Sequence, residues 1–287
     1  VIGFCPLGSG SKGNCLYLGT PETKILIDAG LSGKAIKTRL NEIGVELSDI
    51  DAVLVTHEHS DHITGLKVLS YREGIPVFAN SETAKGIANT FGSFPPLKVF
   101  CSSEPFEFQD LLIRPFSIQH DALDPVAFTI TFGKTKLGIC TDLGFVTNVV
   151  RSELEGCHLL YLEANHQPSM VHACPRSHVY KNRVLSRFGH LSNEECGKLL
   201  SEIWHPELQR VYLAHLSSEC NSHETAQSVV EHLLSERGLH LDLVVAPQET
   251  ISEPFAFCTD PEPRESSPST PPLREELAGA ASSTHDR

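Results

Sequence analysis

The sequence predicts an α+β fold in which two β-sheets pack face to face and helices cover their outer surfaces. Three observations predict it. The chain opens as short β-branched and apolar runs separated by glycine-rich turns, the pattern of a β-meander. Strand-like and helix-like segments then alternate. This order, β-rich and then α/β, occurs twice, which calls for two sheets whose inner faces bury each other.

In the first half, strands are expected at residues 2–5, 16–18 and 24–27. Residues 32–43 carry Ala35, Ile36, Leu40 and Ile43 at helical spacing, with Ser32 placed as N-cap and Gly44 as stop. An apolar strand at 52–55 runs straight into His57, followed by a helix at 62–72, a strand at 76–79 and a helix at 81–90. In the second half, strands are expected at 111–116, 126–132 and 136–140, a helix at 146–154 and a strand at 159–162. Helices at 178–187 and 193–204, a strand at 211–214, a helix at 222–235 and a strand at 241–245 complete it. No fixed-period repeat of the solenoid kind is present.

The 287 residues hold 23 Lys and Arg against 36 Asp and Glu, a formal charge of −13. That balance argues against gripping nucleic acid by bulk positive charge, although it allows a site made locally positive by metal ions. Hydrophobic residues make up 40% of the chain, enough for a packed core, and no apolar run approaches the roughly 18 residues of a membrane span. A soluble protein without membrane contact is expected. The nine cysteines are odd in number and nowhere spaced C-x-x-C, and the first fifteen residues lack the basic and apolar regions of a signal peptide, so a reduced, cytoplasmic chain is expected. One catalytic domain is assigned to residues 1–250, and the Pro, Ser, Thr and Glu-rich stretch at 259–287 has too few large apolar residues to offset the entropy of ordering, so a disordered tail is expected there. Oligomeric state is not legible.

Histidine is the unusual residue, with 15 copies against one Trp and one Met. His57-Glu58-His59-Ser60-Asp61-His62 places three imidazoles and a ligand-type carboxylate within six residues, between an apolar strand and a helix. A loop leaving a strand lets His57 and His59 face one metal ion while Asp61 and His62 turn to a second. Further donors stand just past other expected strands: His120, Asp142 and His215. That placement suits a site at one rim of a sheet, where strands fix what loops supply.

These residues, with Asp28 in LIDAG, resemble the metallo-β-lactamase fold superfamily of hydrolases. The closer resemblance is to its YycJ/WalJ-like branch of bacterial proteins. It is carried by LGSGSKGNC at Leu7–Cys15, LIDAGLS at Leu26–Ser32, THEHSDHITGL at Thr56–Leu66, TDLG at Thr141–Gly144, LEANH at Leu162–His166, GHLSN at Gly189–Asn193 and LAHLSSECN at Leu213–Asn221, and spans about residues 1–246. The HxHxDH run specifies only the superfamily; GSKGN and GHLSN together specify the branch.

The resemblance implies a four-layer αββα sandwich with two divalent metal ions at the sheet edge, zinc or manganese, with iron and magnesium as alternatives. His57, His59 and His120 would hold the first ion, Asp61, His62 and His215 the second, and Asp142 would bridge. Asp28 would orient ligands without binding metal, or else simply form the turn before Ala29-Gly30. Branch members are described as metal-dependent nucleases that degrade DNA from a 5′ end, which makes DNA the expected substrate. The chemistry suits that class, because two cations about 3.5 to 4 Å apart acidify a water between them and neutralise phosphoryl charge, leaving no need for a nucleophilic side chain. Asp61, Asp142 and His190 are the expected catalytic residues.

His190 in GHLSN is expected either to contact the substrate phosphate or to give a proton to the leaving oxygen. Ser192 and Asn193 either donate to phosphate or cap the following helix, since Ser192 stands three residues before Glu195 as in a capping box. Ser11 and Asn14, with Gly10 and Gly13, either line the mouth of the site with anion-binding amides or form a plain glycine turn. His166 is either close to the metals or structural. Arg176, Lys181, Arg183 and Arg187 form either a local DNA track or a solvated helix face. A small-molecule ester, thioester, lactone or cyclic phosphodiester is the rival substrate, which closure of a pocket by residues 91–96 and 170–175 would favour. A non-catalytic binding or regulatory module is the third reading, and it requires metal ligands to be missing.

Overall fold

The computed structural model describes residues 2–257. The expected tail at 259–287 lies outside the described residues. In the first half, β1 (Gly3–Gly8), β2 (Cys15–Gly19) and β3 (Lys24–Ile27) form the meander, followed by α1 (Gly33–Glu42), β4 (Ala52–Leu54), the short helices α2 (Ser60–Ile63) and α3 (Leu66–Leu69), β5 (Val77–Asn80), α4 (Ser81–Phe91) and β6 (Leu97–Phe100). The second half runs β7 (Phe106–Phe108), β8 (Leu111–Ser117), β9 (Val126–Phe132), β10 (Thr135–Cys140), α5 (Asn148–Leu154) and β11 (Leu159–Glu163). It continues with α6 (Pro168–Ala173), α7 (His178–Val184), α8 (Asn193–Ile203), β12 (Arg210–Ala214), α9 (His223–Ser235), β13 (Leu243–Val245) and β14 (Phe255–Ala256).

The strands form two seven-stranded sheets, β14-β1-β2-β3-β4-β5-β6 and β13-β12-β11-β10-β9-β8-β7. In each, a meander of antiparallel pairs passes into parallel strands joined through helices: β3, β4, β5 and β6 in one sheet, β10, β11, β12 and β13 in the other. Side-chain alternation explains the layers, because successive residues of a strand face opposite sides. Ile25 and Ile27 of β3 join Leu159 and Tyr161 of β11 in the core between the sheets. Their neighbours point the other way: Leu26 packs with Ile36 and Leu40 of α1, and Leu160 and Leu162 pack with Leu199 and Leu200 of α8. The result is a four-layer αββα sandwich of the α+β class.

Helix starts follow their caps. Ser32, Asn80, Thr147, Ser177, Ser192 and Ser222 each accept a hydrogen bond from the backbone amide three residues on, each cap contributing about 1 kcal/mol. Of the two roles open for Ser192, its hydroxyl takes the cap, accepting from Glu195 N at 3.2 Å.

Three expectations change. The single helix at 62–72 is broken, because Gly65 turns its amide to the Ala29 carbonyl at 2.6 Å, and a Cβ there would stand 2.6 Å from the Leu31 carbonyl oxygen. The edge strands β6 and β7 were not expected; β6 exposes its middle residues and so lacks an inward apolar face to announce it. Strand β14 pairs with β1 through Gly3 opposite Ala256 and Phe4 opposite Phe255, which carries the sheet beyond the domain end expected at residue 250.

Candidate metal centre

The site forms where the carboxyl ends of strands from both sheets meet, the usual place for a ligand at the edge of parallel strands. Asp28 follows β3, His57 leaves β4 by way of Val55 and Thr56, Asp142 follows β10, Glu163 ends β11 and His215 follows β12. Asp28, Asp142 and His215 have φ of 59°, 58° and 53°, in the left-handed region that costs a non-glycine residue about 1 kcal/mol or more. Each strand therefore turns sharply at the residue whose side chain it delivers.

Three backbone segments are stitched beneath the HEHSDH loop. Asn14 N donates to the Asp61 carbonyl at 2.8 Å, Gly30 N to the Asn14 carbonyl at 2.8 Å, and Ala29 N to the His62 carbonyl at 2.7 Å. The GSKGN and DAG motifs thus hold Asp61 and His62 by main-chain contacts. Gly30 is required there, since a Cβ at this position would overlap the Asp61 carbonyl.

His57, His59 and His120 bring one nitrogen each within 4.8 Å of one another, and a carboxylate oxygen of Asp61 and one nitrogen each of His62 and His215 gather equally closely. Asp142 lies between the two triads. Its Oδ1 is 3.7 Å from His120 Nε2 and its Oδ2 is 3.3 Å from His62 Nε2. Behind the triads, the far ring nitrogens are held: His62 Nδ1 by Asp28 Oδ2 at 2.7 Å, His57 Nδ1 by Thr56 Oγ1 at 3.0 Å, His120 Nδ1 by the Gly189 carbonyl at 3.2 Å and His215 Nδ1 by Glu163 Oε1 at 2.9 Å. Fixing Nδ1 in this way turns Nε2 to the centre as a lone pair, the arrangement of metal-binding imidazoles. His57 Nε2 and His215 Nε2 are buried without any hydrogen-bond partner, a cost that a cation would remove. This donor set of imidazoles and carboxylates fits divalent metal ions.

Electrostatics follow from the crowding. Burial pushes His57 well below the usual imidazole range, and the neighbouring His62, His120 and His59 add to it, so His57 offers neutral nitrogen. In the second triad, burial alone would lower His215, but Asp142, Asp61 and Glu163 outweigh it and hold the group up at about 10. Burial would raise Asp142, yet His215, His62 and His57 keep it well below the carboxylate range.

Glu163 is the residue that motif reading missed. It is fully buried, and its Oε1 lies 2.9 Å from Nδ1 of both His190 and His215, while Oε2 accepts from the amides of Leu143 at 2.7 Å and Leu191 at 3.0 Å. One carboxylate thus ties together the TDLG loop, the GHLSN loop and His215. The available signal was an acidic residue closing an otherwise apolar run, Leu159 to Leu162, inside the LEANH motif.

His190 sits beside the cluster, its ring centroid 5.3 Å from that of His120 and 5.2 Å from that of His215. Ser11, His190 and His215 line a cavity of about 250 Å³ together with Arg176, Tyr180 and Arg183. Asn193, expected at the substrate, is corrected. It is fully buried, its Nδ2 donates to Gln167 Oε1 and Asn221 Oδ1, and its Oδ1 accepts from Asn221 Nδ2, which leaves no group for phosphate. Asn14 is corrected likewise: buried beneath the loop, it accepts from Gly10 N through Oδ1 and points Nδ2 at His62 Nε2, 3.1 Å away. Asp28 both accepts from Thr56 N and Oγ1 and holds His62, more than a turn requires. His166 is buried and belongs to neither triad. The four basic residues do not form one track: Arg176 pairs with Glu219, Lys181 donates to the His172 carbonyl, Arg183 pairs with Asp121 and Arg187 lies over the Phe145 ring.

The family model for the beta-lactamase superfamily domain matches residues 23–216. The chain is 36% identical over 237 residues to exodeoxyribonuclease YycJ of Bacillus anthracis, covering 82% of this chain and 90% of that protein. It is 35% identical over 237 residues to exodeoxyribonuclease WalJ of Streptococcus pneumoniae serotype 2, covering 81% and 88%. Among solved structures, the metallo-beta-lactamase fold protein YhfI from Bacillus subtilis matches with a TM-score of 0.67 at 16% identity, covering 86% of this chain and 97% of that one, a likeness of fold. By that family match and those identities, the chain belongs to the beta-lactamase superfamily, in the branch that contains YycJ and WalJ.

Proposed function

We propose that this protein is a dinuclear metal-dependent phosphodiesterase acting as a 5′-to-3′ DNA exonuclease. The observation that carries the reading is the pair of adjoining triads that meet at Asp142, in a chain 36% identical to an exodeoxyribonuclease. His57, His59 and His120 would hold one divalent ion, Asp61, His62 and His215 the other, and Asp142 would reach both. Zinc is favoured by the imidazole-rich triad, and manganese is accepted by the carboxylate-bearing one. Ions bound there supply Lewis acidity toward the phosphoryl oxygens and acidify water.

The protein's own groups do the rest. Glu163 accepts from Nδ1–H of His190, which turns Nε2 to the substrate, where as Nε2–H it would donate to a phosphoryl oxygen or pass that proton to the leaving oxygen. Ser11 stands at the mouth of the cavity as a hydroxyl donor to phosphate. The small-molecule reading has less support, since neither residues 91–96 nor 170–175 line the cavity. Against a non-catalytic module stands the gathering of all seven ligand-type side chains. A cytoplasmic location is supported by the cysteines: the eight among the described residues are all free. No helix among the described residues is long and apolar enough to cross a membrane.

The test is digestion of linear DNA by metal-stripped protein refilled separately with Mn²⁺, Zn²⁺ and Mg²⁺, with Asp142→Ala as the control for contaminating nuclease. Metal-dependent, end-directed digestion absent from the variant is the expected result. No digestion by protein that holds two ions would overturn the reading.

A further inference from the structure

An end-directed nuclease must recognise an end, and the metal triads do not distinguish a terminal phosphate from an internal one. The cavity beside them can. Its volume of about 250 Å³ has room for a phosphate with its sugar, and it opens onto the metal centre through His190 and His215. Arg176 and Arg183 both line it, together with Tyr180, Ser217, Ser218 and Glu219.

Both guanidiniums already have a carboxylate partner, with their side chains about half exposed. Arg176 is gripped side-on by Glu219, Nε donating to Oε2 at 2.7 Å and Nη2 to Oε1, and its charge also lies over the Tyr180 ring, 5.6 Å from the centroid. Arg183 donates through Nε to Asp121 Oδ2 at 2.7 Å. Neither Nη1 of Arg176 nor either Nη group of Arg183 donates to any described residue, so each fork keeps N–H groups for a ligand. Orienting these side chains beforehand reduces the ordering cost of binding. Two guanidiniums suit a phosphate monoester, which carries nearly two charges near neutral pH and offers three acceptor oxygens, better than a diester with one charge.

We propose that Arg176 and Arg183, with the hydroxyls of Ser217 and Ser218, bind the terminal phosphate monoester of a DNA strand and so select the end from which digestion starts. This rests on the nuclease reading above and deepens it. Terminal monoesters occur at 5′ and 3′ ends; the 5′ directionality proposed for the enzyme makes the 5′-phosphate the expected ligand.

The experiment measures initial rates of the metal-loaded full chain on one linear strand prepared in three forms: 5′-phosphate, 3′-phosphate and hydroxyl at both ends. Hydrolysis of bis(p-nitrophenyl) phosphate reports the metal centre independently of any DNA end. Charge-assisted bonds of this kind lead us to expect a preference of about tenfold or more for the 5′-phosphate form. In Arg183→Ala and Arg176→Ala that ratio falls toward one, mainly through KM, and Arg183→Lys recovers part of it. Melting curves confirm that the variants are folded, and Ser218→Ala provides a second probe that leaves both arginines in place.

Wild-type digestion at equal rates on all three forms would overturn the terminal-phosphate site and leave the nuclease reading standing. A preference for the 3′-phosphate would overturn the 5′ assignment. A 5′ preference undiminished in folded Arg variants would move the recognition elsewhere and overturn the proposal. Hydrolysis of bis(p-nitrophenyl) phosphate without digestion of any DNA form would overturn the nuclease reading and this proposal with it.

Discussion

Glu163 Oε1 lies 2.9 Å from Nδ1 of His190, and the same oxygen lies 2.9 Å from Nδ1 of His215. One imidazole of the triad proposed to hold a metal ion and the group proposed to act on the substrate are thus oriented by one buried atom. Burial by itself would raise the Glu163 carboxyl, but His190 and His215 outweigh it and hold the group down at about 2. Glu163→Gln keeps the shape and replaces an acceptor by an amide whose NH₂ must face either two imidazole N–H groups or two backbone amides. Metal affinity is expected to fall by about 10- to 100-fold and turnover to fall further, since His190 also loses its partner. Metal titration beside steady-state kinetics checks this; full affinity with full turnover would remove Glu163 from the site.

Asp28 touches one triad directly, at His62, and reaches His57 of the other only through the Thr56 hydroxyl. It holds His62 through Oδ2 while Thr56 saturates the rest of its carboxylate. Asp28→Asn is expected to weaken the binding step at His62 by about 10- to 100-fold and the step at His57, which it reaches through Thr56, by less. Calorimetry resolving the two steps would show it, and equal weakening of both would contradict the separation of the triads.

Gly30→Ala tests the stitching beneath the loop. The added methyl meets the Asp61 carbonyl, a backbone atom itself held by Asn14 N, so relief requires moving Asp61. A loss of about 1–3 kcal/mol in stability is expected, together with reduced metal occupancy by elemental analysis. An unchanged melting temperature would show that the loop gives way freely.

Asn193→Ala separates scaffold from substrate contact. Its amide joins Asn221 and Gln167 in a buried network, and removing it strands their polar groups at a cost of about 1–3 kcal/mol. Stability is expected to fall while KM for DNA in the folded fraction stays where it was. A raised KM with normal stability would return Asn193 to the substrate.

Metal removal is the broadest test. Ions that bind only the folded chain stabilise it by mass action, and ions at the proposed site would also satisfy His57 Nε2 and His215 Nε2, which have no hydrogen-bond partner among the described residues. Chelation is expected to lower the melting temperature by several degrees, and refilling to restore it. A melting curve indifferent to metal would argue against ions at the triads.

The sequence by itself determined the two-sheet plan, because period-two burial in Ile25-Leu26-Ile27 and Leu159-Leu160-Tyr161 leaves each strand with two apolar faces that only a four-layer stack can cover. It also marked the donors, since His57 to His62 crowd a strand-to-helix loop and Asp142 and His215 stand just past strand ends. Only the tertiary structure decided what surrounds them. Glu163 reads locally as the last residue of a strand, and its role appears when Leu143, His190, Leu191 and His215, brought from separate loops, converge on its two oxygens. Asn14 and Asn193 carry motif positions that look poised for a ligand, yet packing buried both and gave their amides to neighbours. Arg176 and Arg183 share a cavity wall while Lys181 and Arg187 turn elsewhere, because the pairing of each is set by Glu219, Asp121, the His172 carbonyl and Phe145. Local pattern fixes which face of an element is apolar; which polar groups meet across loops is fixed only when the loops pack.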